Sequence, residues 1–523
     1  MSPPETNENQ PHTPRSSAAA EHRPDVPSPI ARVLSESPAP SPRVPTDEPG
    51  SAAAPAVKGT FREVLAFKHY RNVLLAQLVS NVGTWMELFT IQIYLTQISD
   101  KAKDQGTLAF FAGVPIFLLG VFGGVVADKV ERRGLLIYTQ LLACVVAFAV
   151  AGVTMITWAP GDRTPIYLLW ALSAINGVVM AFNFPAWQVL TPRLVPKNLL
   201  TAAITLNGIQ FNLTRVVGPA LAGYLLVRLS PPPLLLFNAV SFLLVAAVVW
   251  TTPKSPPPVP APGEDAQVWP QIKAAMAFLW KMPGPRAVFL AQVTISLLAA
   301  PLVRMLSLYV VATYNLPAKT PGVAATTGAQ SEAESVAGIL LAVQGIGAVL
   351  GGLCLKFIPS WYPKHHFIPL AVASLGLSIS IFAATTTPWG GYGVMLIVGF
   401  FWLWAFNQSW AAMQVLAPDS MRGRVMSLTT VASFGATAIG ALAAGYFGDV
   451  LHEVFGVSKG FSMQCVVLAL GLPLMLAGMV MLLKRTPEVD GMPRLVPGKL
   501  PRRSIVSAVL ASEHRPGRPS RGV

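Results

Sequence analysis

Residues 187–226 read WQVLTPRLVPKNLLTAAITLNGIQFNLTRVVGPALAGYLL, and residues 413–448 read MQVLAPDSMRGRVMSLTTVASFGATAIGALAAGYFG. In each, an apolar run ends in QVLTP or QVLAP, a short basic connection follows, and a second apolar run closes in AGYL or AGYF. The QVL triplets lie 226 positions apart, and the second copy is four residues shorter between its shared ends. A five-residue match alone is weak, because apolar helices draw on a small alphabet. The same order of elements through a run, a loop and the next run is much stronger. Gly123-Gly124 and Gly351-Gly352 repeat at nearly the same offset. Two homologous halves, related as parallel repeats, form an architecture in which a substrate sits at the midplane between them.

The composition says where those halves reside. Of 523 residues, 53% are hydrophobic and 12% charged, whereas soluble globular chains carry about 25% charged residues. So little charge cannot cover a water-facing surface, and most of this surface must face lipid. The net charge of +14 is spread over termini and short connections. It fits a membrane protein with basic cytoplasmic loops, and no nucleic-acid motif accompanies it. Cys144, Cys354 and Cys465 all lie in apolar runs, so no disulfide framework is implied.

Apolar runs long enough to cross a ~30 Å hydrocarbon layer as helices of about 20 residues recur along the chain. They fall near 72–98, 106–128, 134–157, 165–190, 199–228, 233–250, 287–313, 335–357, 366–385, 389–415, 422–449 and 461–484. Backbone groups in lipid must be satisfied within each segment, so these are helices. The expectation is an all-α membrane protein with twelve transmembrane helices in two pseudo-symmetric bundles of six. Residues 61–250 form the first bundle and 287–485 the second. Residues 1–60 and 486–523, rich in proline and poor in large apolar residues, read as disordered tails. The connection 251–286 begins as a proline-stiffened linker. It continues as WPQIKAAMAFLWKMP, an amphipathic stretch suited to a helix on the inner membrane surface.

Basic residues set the orientation. One set of connections holds Lys129, Arg132, Arg133, Arg193, Lys197, Lys254, Lys356, Lys364, Arg422 and Arg424. The other mixes Lys101, Lys103, Arg163, Arg228, Lys319 and Lys459 with Asp100, Asp104, Asp162, Glu332, Glu334 and Glu453. The first is expected to be cytoplasmic, and an even number of spans puts both termini there.

Span one carries the clearest polar signal. At 100° per residue, Gln77, Ser80, Asn81, Thr84, Glu87 and Tyr94 fall within an arc of about 140°. Such a stripe must face protein or water. Hydrogen-bonded packing accounts for Ser and Thr. A mid-membrane carboxylate such as Glu87 needs a partner or a proton, which suits a group that takes up and releases protons. Asn176 and Asn183 share a face of span four, Asn207 and Gln210 a face of span five, and Asn407 lies in span ten. Arg215 and Arg304 are the intramembrane cations; either could balance Glu87 or hold an anionic substrate group. Amides and aromatics around one or two charges suit a small amphiphilic organic molecule better than an inorganic ion.

The stretch GGVVADKVERRGLL (123–136) resembles the loop signature of the major facilitator superfamily. More narrowly, FKHYRNVLLAQLVSNVGTWM (67–86), NFPAWQVLTPRLVPKNLLTAAITLN (183–207) and RVVGPALAGYLL (215–226) are similar to the drug:proton antiporter branch that includes macrolide and enterobactin exporters. The resemblance covers residues 61–485. It implies the major facilitator fold and proton-coupled efflux of a drug or secondary metabolite by alternating access. The carrier would be a monomer in the inner (cytoplasmic) membrane, exchanging small-molecule substrate and protons, with no cofactor or metal. It also implies that Gly124, Asp128, Lys129, Arg132 and Arg133 form a conformational gating loop. There the aspartate and an arginine would tie the second span to the opposite half, and Gly124 would let helices approach closely. Gly218, Pro219 and Gly223 resemble a helix-bend motif of span five, although Thr214 stands where that pattern has a further glycine. Ser173 stands where relatives often carry an arginine linked to proton antiport.

Two alternatives share the transport class: a dedicated siderophore exporter and a carrier of the lysolipid-flippase type. A membrane-embedded enzyme needs an intramembrane nucleophile, base or metal set. All seven histidines lie outside the runs or at their ends, and no H-E-x-x-H motif or phosphate-cradling loop appears.

Overall fold

A computed structural model describes residues 60–190, 193–254, 268–316, 332–358, 364–418 and 421–483. The two expected tails and most of the 251–267 linker lie outside these residues. Within the first half the helices are α1 (Phe61–Ala66), α2 (Lys68–Ile98), α3 (Ala102–Lys129), α4 (Arg132–Met155), α5 (Thr164–Leu190), α6 (Leu200–Leu226) and α7 (Pro231–Trp250). The amphipathic α8 (Val268–Lys281) follows, burying Ala275 and Leu279 and exposing Trp269 and Trp280. The second half holds α9 (Pro283–Leu298), α10 (Ala300–Thr313), α11 (Glu332–Cys354), α12 (Lys364–Ala383), α13 (Pro388–Trp402), α14 (Gln408–Leu416), α15 (Arg422–Glu453) and α16 (Lys459–Leu482). No strand occurs among the described residues.

Among the described residues ten membrane-length segments are apolar enough to span a bilayer, counting α9 with α10 and α13 with α14 as one each. The remaining long helices, α2 and α6, have 31 and 27 residues. They fall short in apolarity because they carry the amides, Glu87 and Arg215.

Two expected single helices are interrupted. The seventh span breaks at Ala299, because Pro301 lacks an N–H and cannot bond the Leu297 carbonyl four residues back. The tenth contains a π-turn at Leu403–Asn407 between α13 and α14, a local widening frequent at functional sites.

Packing repeats with a shift of six spans. In the first half α3 packs on α5, α4 on α7, and α2 on both α6 and α7. In the second, α11 packs on α13, α12 on α16, α10 on α16, and α9 on α15. Two seams join the halves, α3 against α15 and α6 against α11, and the same shift turns one seam into the other.

Glycines at matching positions make these contacts. A Cβ on Gly123 would lie 2.0 Å from the Ala181 carbonyl oxygen, and one on Gly351 would lie 2.7 Å from that of Phe400. A Cβ on Gly218 would lie 2.5 Å from that of Trp85, and one on its counterpart Gly440 would collide with the freed Leu297 oxygen. The AGY glycines sit in the seams themselves. A Cβ on Gly223 would lie 2.9 Å from the Gly338 Cα, and one on Gly445 would lie 2.5 Å from the Ala102 oxygen. Such small residues let backbones touch where lipid supplies no hydrophobic drive between helices.

This corrects the expected role of Gly124, since nothing lies within 4 Å of where its Cβ would be. The close approach is made one residue earlier. In the resemblance to a bend motif, Gly218 and Gly223 prove to be contact points on a helix that runs unbroken through Pro219.

Neighbouring glycines therefore give opposed outcomes. Gly123→Ala is expected to destabilise the protein by about 1–3 kcal/mol through overpacking. Gly124→Ala is expected to be neutral or to stabilise by about 0.5–1 kcal/mol through helix propensity. Thermal unfolding of both variants in one detergent checks the pair.

Candidate functional site

Helix α2 presents two faces at helical spacing. Ser80, Gly83, Thr84 and Glu87 turn to α7, while Trp85, Leu88, Phe89 and Gln92 turn to the space between the halves. The single polar stripe expected from the sequence is thus divided among neighbours.

On the α7 side, Asn238 is buried and organises the contact. Its Nδ2 donates to Glu87 Oε2, and Thr84 Oγ1 donates to its Oδ1 at 3.5 Å. Ser241 Oγ donates to Ser80 Oγ at 3.2 Å. Gly83 is required here, because a Cβ would lie 2.7 Å from Asn238 Oδ1. Among the described residues Glu87 forms no ion pair, so neither Arg215 nor Arg304 balances it. Sequence reading passed over Asn238, although a lone amide within PLLLFNAVSF was the available signal.

The α6 side receives other predicted residues. Asn81 Nδ2 donates to Gln210 Oε1 at 3.4 Å, and Tyr70 donates its hydroxyl to Asn207 Oδ1 at 2.9 Å. Asn183 is drawn away from the centre, donating to Thr139 Oγ1 at 2.9 Å on α4. Gln77, Asn176, Arg304 and Asn407 are half-buried and make no side-chain hydrogen bond among the described residues.

Between the halves lies a small, partly enclosed cavity with room for about one water molecule. Trp85, Leu88, Phe89, Gln92, Arg215 and Pro219 line it from the first half, and Val303, Leu341 and Gln344 from the second. The Arg215 guanidinium carbon lies 4.9 Å from the Trp402 ring centre and 5.9 Å from that of Trp85. Trp402 is the last residue before the π-turn, and its ring stacks on Phe406 at 5.4 Å.

Polar contacts between the halves cluster, among the described residues, at the acidic face, the end bearing Asp100 and Glu453. Asp449 on α15 accepts from the Ala102 and Lys103 backbone N–H groups at 2.8 and 3.1 Å. These are unsatisfied first-turn donors of α3, where the helix dipole also favours an anion. Lys101 pairs with Glu453 at 3.3 Å, Lys459 with Asp100, Thr96 with Ser307 at 3.2 Å, and Gln97 Nε2 donates to Glu334 Oε1 at 3.2 Å. The hydrogen bond from Lys459 holds the Asp100 carboxyl below its ordinary pKa.

At the opposite, basic face the expected gating loop is covered in part. The side chains of Asp128 and Lys129 lie outside the described residues. Arg132 is buried. Arg133 does not cross to the second half. Its Nη1 donates to the Thr252 carbonyl at 2.9 Å and its guanidinium lies over Trp250, tying α4 to the end of α7 within its own half.

A helical membrane protein whose halves meet along two equivalent seams, with a charged cavity between them, has the architecture of a secondary transporter. The family described as transmembrane secretion effector, within the major facilitator superfamily, matches residues 61–504, and the chain belongs to it. It is 22% identical to the staphyloferrin A transporter of Staphylococcus aureus, across 73% of this chain and 89% of that one. It is 23% identical to the enterobactin exporter EntS of Salmonella choleraesuis, across 80% and 95%. It is also 23% identical to the multidrug efflux pump Tap of Mycolicibacterium fortuitum, across 80% and 96%. Among solved structures, nucleoside transporter NupG superposes with a TM-score of 0.58 at 16% identity, covering 80% of this chain and all of that one. That likeness shows the fold alone.

Two variants test the local geometry. Asn238→Leu removes the donor facing Glu87 and is expected to cost about 1–3 kcal/mol in detergent unfolding. Glu87→Gln keeps an acceptor and is expected to cost less. Asp449→Ala removes a cap across the seam, with an expected loss of about 0.5–2 kcal/mol. It should also raise thiol labelling of a cysteine placed at Ala441, which is buried against Ala109 in the same seam, read against the same cysteine with Asp449 intact.

Proposed function

We propose that the chain exports a small amphiphilic organic compound, a drug or secondary metabolite, by alternating access driven by the proton gradient. The observation that carries this reading is the cavity itself, because both halves line it and an intramembrane arginine lies in its wall. Among the described residues polar contacts between the halves lie at the acidic face, where they would break for that face to open. Glu87 is the proposed proton carrier. It is held by a neutral amide and no basic group among the described residues, so proton gain or loss is not locked by an ion pair.

A dedicated siderophore exporter is the second reading, favoured by the relatives named for staphyloferrin A and enterobactin. In either case the chain acts as a carrier and not as an enzyme. It works as a monomer in the cytoplasmic membrane, with both termini and the basic loops inside. The helix α8 rests on the inner lipid surface, and Asp128 and Lys129 take part in a latch at the basic face.

The test is substrate-dependent proton movement in liposomes, read with an internal pH dye across a panel of siderophores and amphiphilic drugs. Wild type is expected to move protons against substrate flow. Glu87→Gln is expected to keep downhill substrate movement and lose at least about tenfold in proton flux, the loss typical of removing one general acid–base group. Normal proton coupling in that variant would make Glu87 structural and defeat the mechanism.

A further inference from the structure

We infer that the cavity between the halves selects an organic anion with an aromatic ring, with Arg215 as its counter-charge. The inference rests on the export reading and adds the charge class of the substrate.

Four observations converge. First, Arg215 has no carboxylate partner and donates no hydrogen bond among the described residues. A guanidinium stays charged at any physiological pH, and an unpaired charge within a membrane is costly and marks function. Second, Glu87 is not its hidden partner. The cavity-facing residues Trp85, Leu88, Phe89 and Gln92 and the α7-facing residues Ser80, Gly83, Thr84 and Glu87 occupy arcs of α2 about 140° apart at 100° per residue. Asn238 holds Glu87 on the far arc.

Third, the lining holds an unsatisfied donor beside the cation: Gln92 is 3% exposed, and its Nε2 has no partner among the described residues. Gln344 brings a second amide to the wall from the other half. A cationic ligand would be repelled by Arg215; an anion would answer both the guanidinium and the Gln92 donor. Fourth, the remaining wall is organic in character. The Arg215 guanidinium carbon lies over the Trp85 and Trp402 rings, and with no hydrogen bond donated among the described residues its N–H groups remain for a carboxylate or phenolate. Leu88, Phe89, Val303 and Leu341 complete an apolar surface for a ring. In this conformation the space is small, so a ligand enters as the tryptophans part. Trp402 stands beside the π-turn, where helical bonding is locally irregular.

The test uses the full chain in nanodiscs and three probes of one ring and different charge: 1-naphthoate, 1-naphthamide and 1-naphthylmethylammonium. Equilibrium binding is read by tryptophan quenching. The anion is expected to bind about tenfold or more tighter than the other two, the effect of a charge-assisted hydrogen bond at a dry site. Arg215→Gln should bring the three within about twofold, with folding of the variant checked by its thermal unfolding in the same nanodiscs. Gln92→Leu should weaken the anion alone by about threefold or more.

Equal or tighter binding of the cation or amide by wild type overturns the inference, as does an anion preference that survives in Arg215→Gln. The wild-type ranking decides even where a variant fails to fold. Proton-driven export in liposomes separates the two readings. Loss of export with the anion ranking intact sinks the exporter and leaves the anion site. Export of neutral or cationic compounds without that ranking sinks the anion site and leaves the exporter.

Discussion

Backbone-to-backbone contact at glycine sets the geometry on which everything else in this molecule depends. In a membrane, lipid tails compete with side chains for apolar surface, so helices hold together by close van der Waals fit. Gly223 against Gly338 and Gly445 against Ala102 bring the halves together at two seams. Gly218 and Gly440 draw α2 and α9 toward their partners within each half. With the backbones this close, side chains are displaced to either side of each contact. The polar groups of α2 consequently divide between α6, α7 and the cavity.

That division explains why one helix can carry both a carboxylate and the approach to a cation without joining them. Ion pairing across a dry interior is strong, and removing one partner of such a pair is severely destabilising. An ion pair between Glu87 and Arg215 would hold the two arcs of α2 in one stable arrangement. Here Asn238 takes Glu87 through a neutral donor, and aromatic faces take Arg215. Each group is supported without being neutralised, and each stays responsive to what binds it.

Much of the fold was legible because its determinants are local or periodic. Run lengths gave the spans, and the QVL and AGY repeats gave the two related halves, since Gly223 and Gly445 answer the same steric demand in equivalent seams. Two breaks escaped. Pro301 lies within an otherwise apolar run, and the π-turn at Leu403–Asn407 has no turn residue to announce it. The site was legible by residue type and less so by partner. Arg215 and Glu87 stand out as rare charges. Their neighbours Asn238 and Trp402 come from distant helices, and helical periodicity on one segment cannot say which arc meets which helix. Asp449 escaped for the same reason: its value as a cap exists only because α3 begins beside it. Gly123 and Gly124 look alike in sequence, and only the path of α5 distinguishes them.

The asymmetry of the polar contacts carries the last step. A capping side chain is worth about 0.5–2 kcal/mol, and Asp449 caps α3 across the seam through two hydrogen bonds. The exposed pairs Lys101–Glu453 and Lys459–Asp100 add little beside them, because solvent screens such contacts. A contribution of this size helps to hold the acidic face closed without locking it. A protein held by many buried ion pairs would be trapped in one form, and one held by apolar contact alone would have no preferred form. Glycine seams supply the fit common to both packings, and a capped helix end tips the balance between them. An anion bound at Arg215, drawing α6 and the Trp402 end of α13 together from opposite halves, acts on that same balance from the centre.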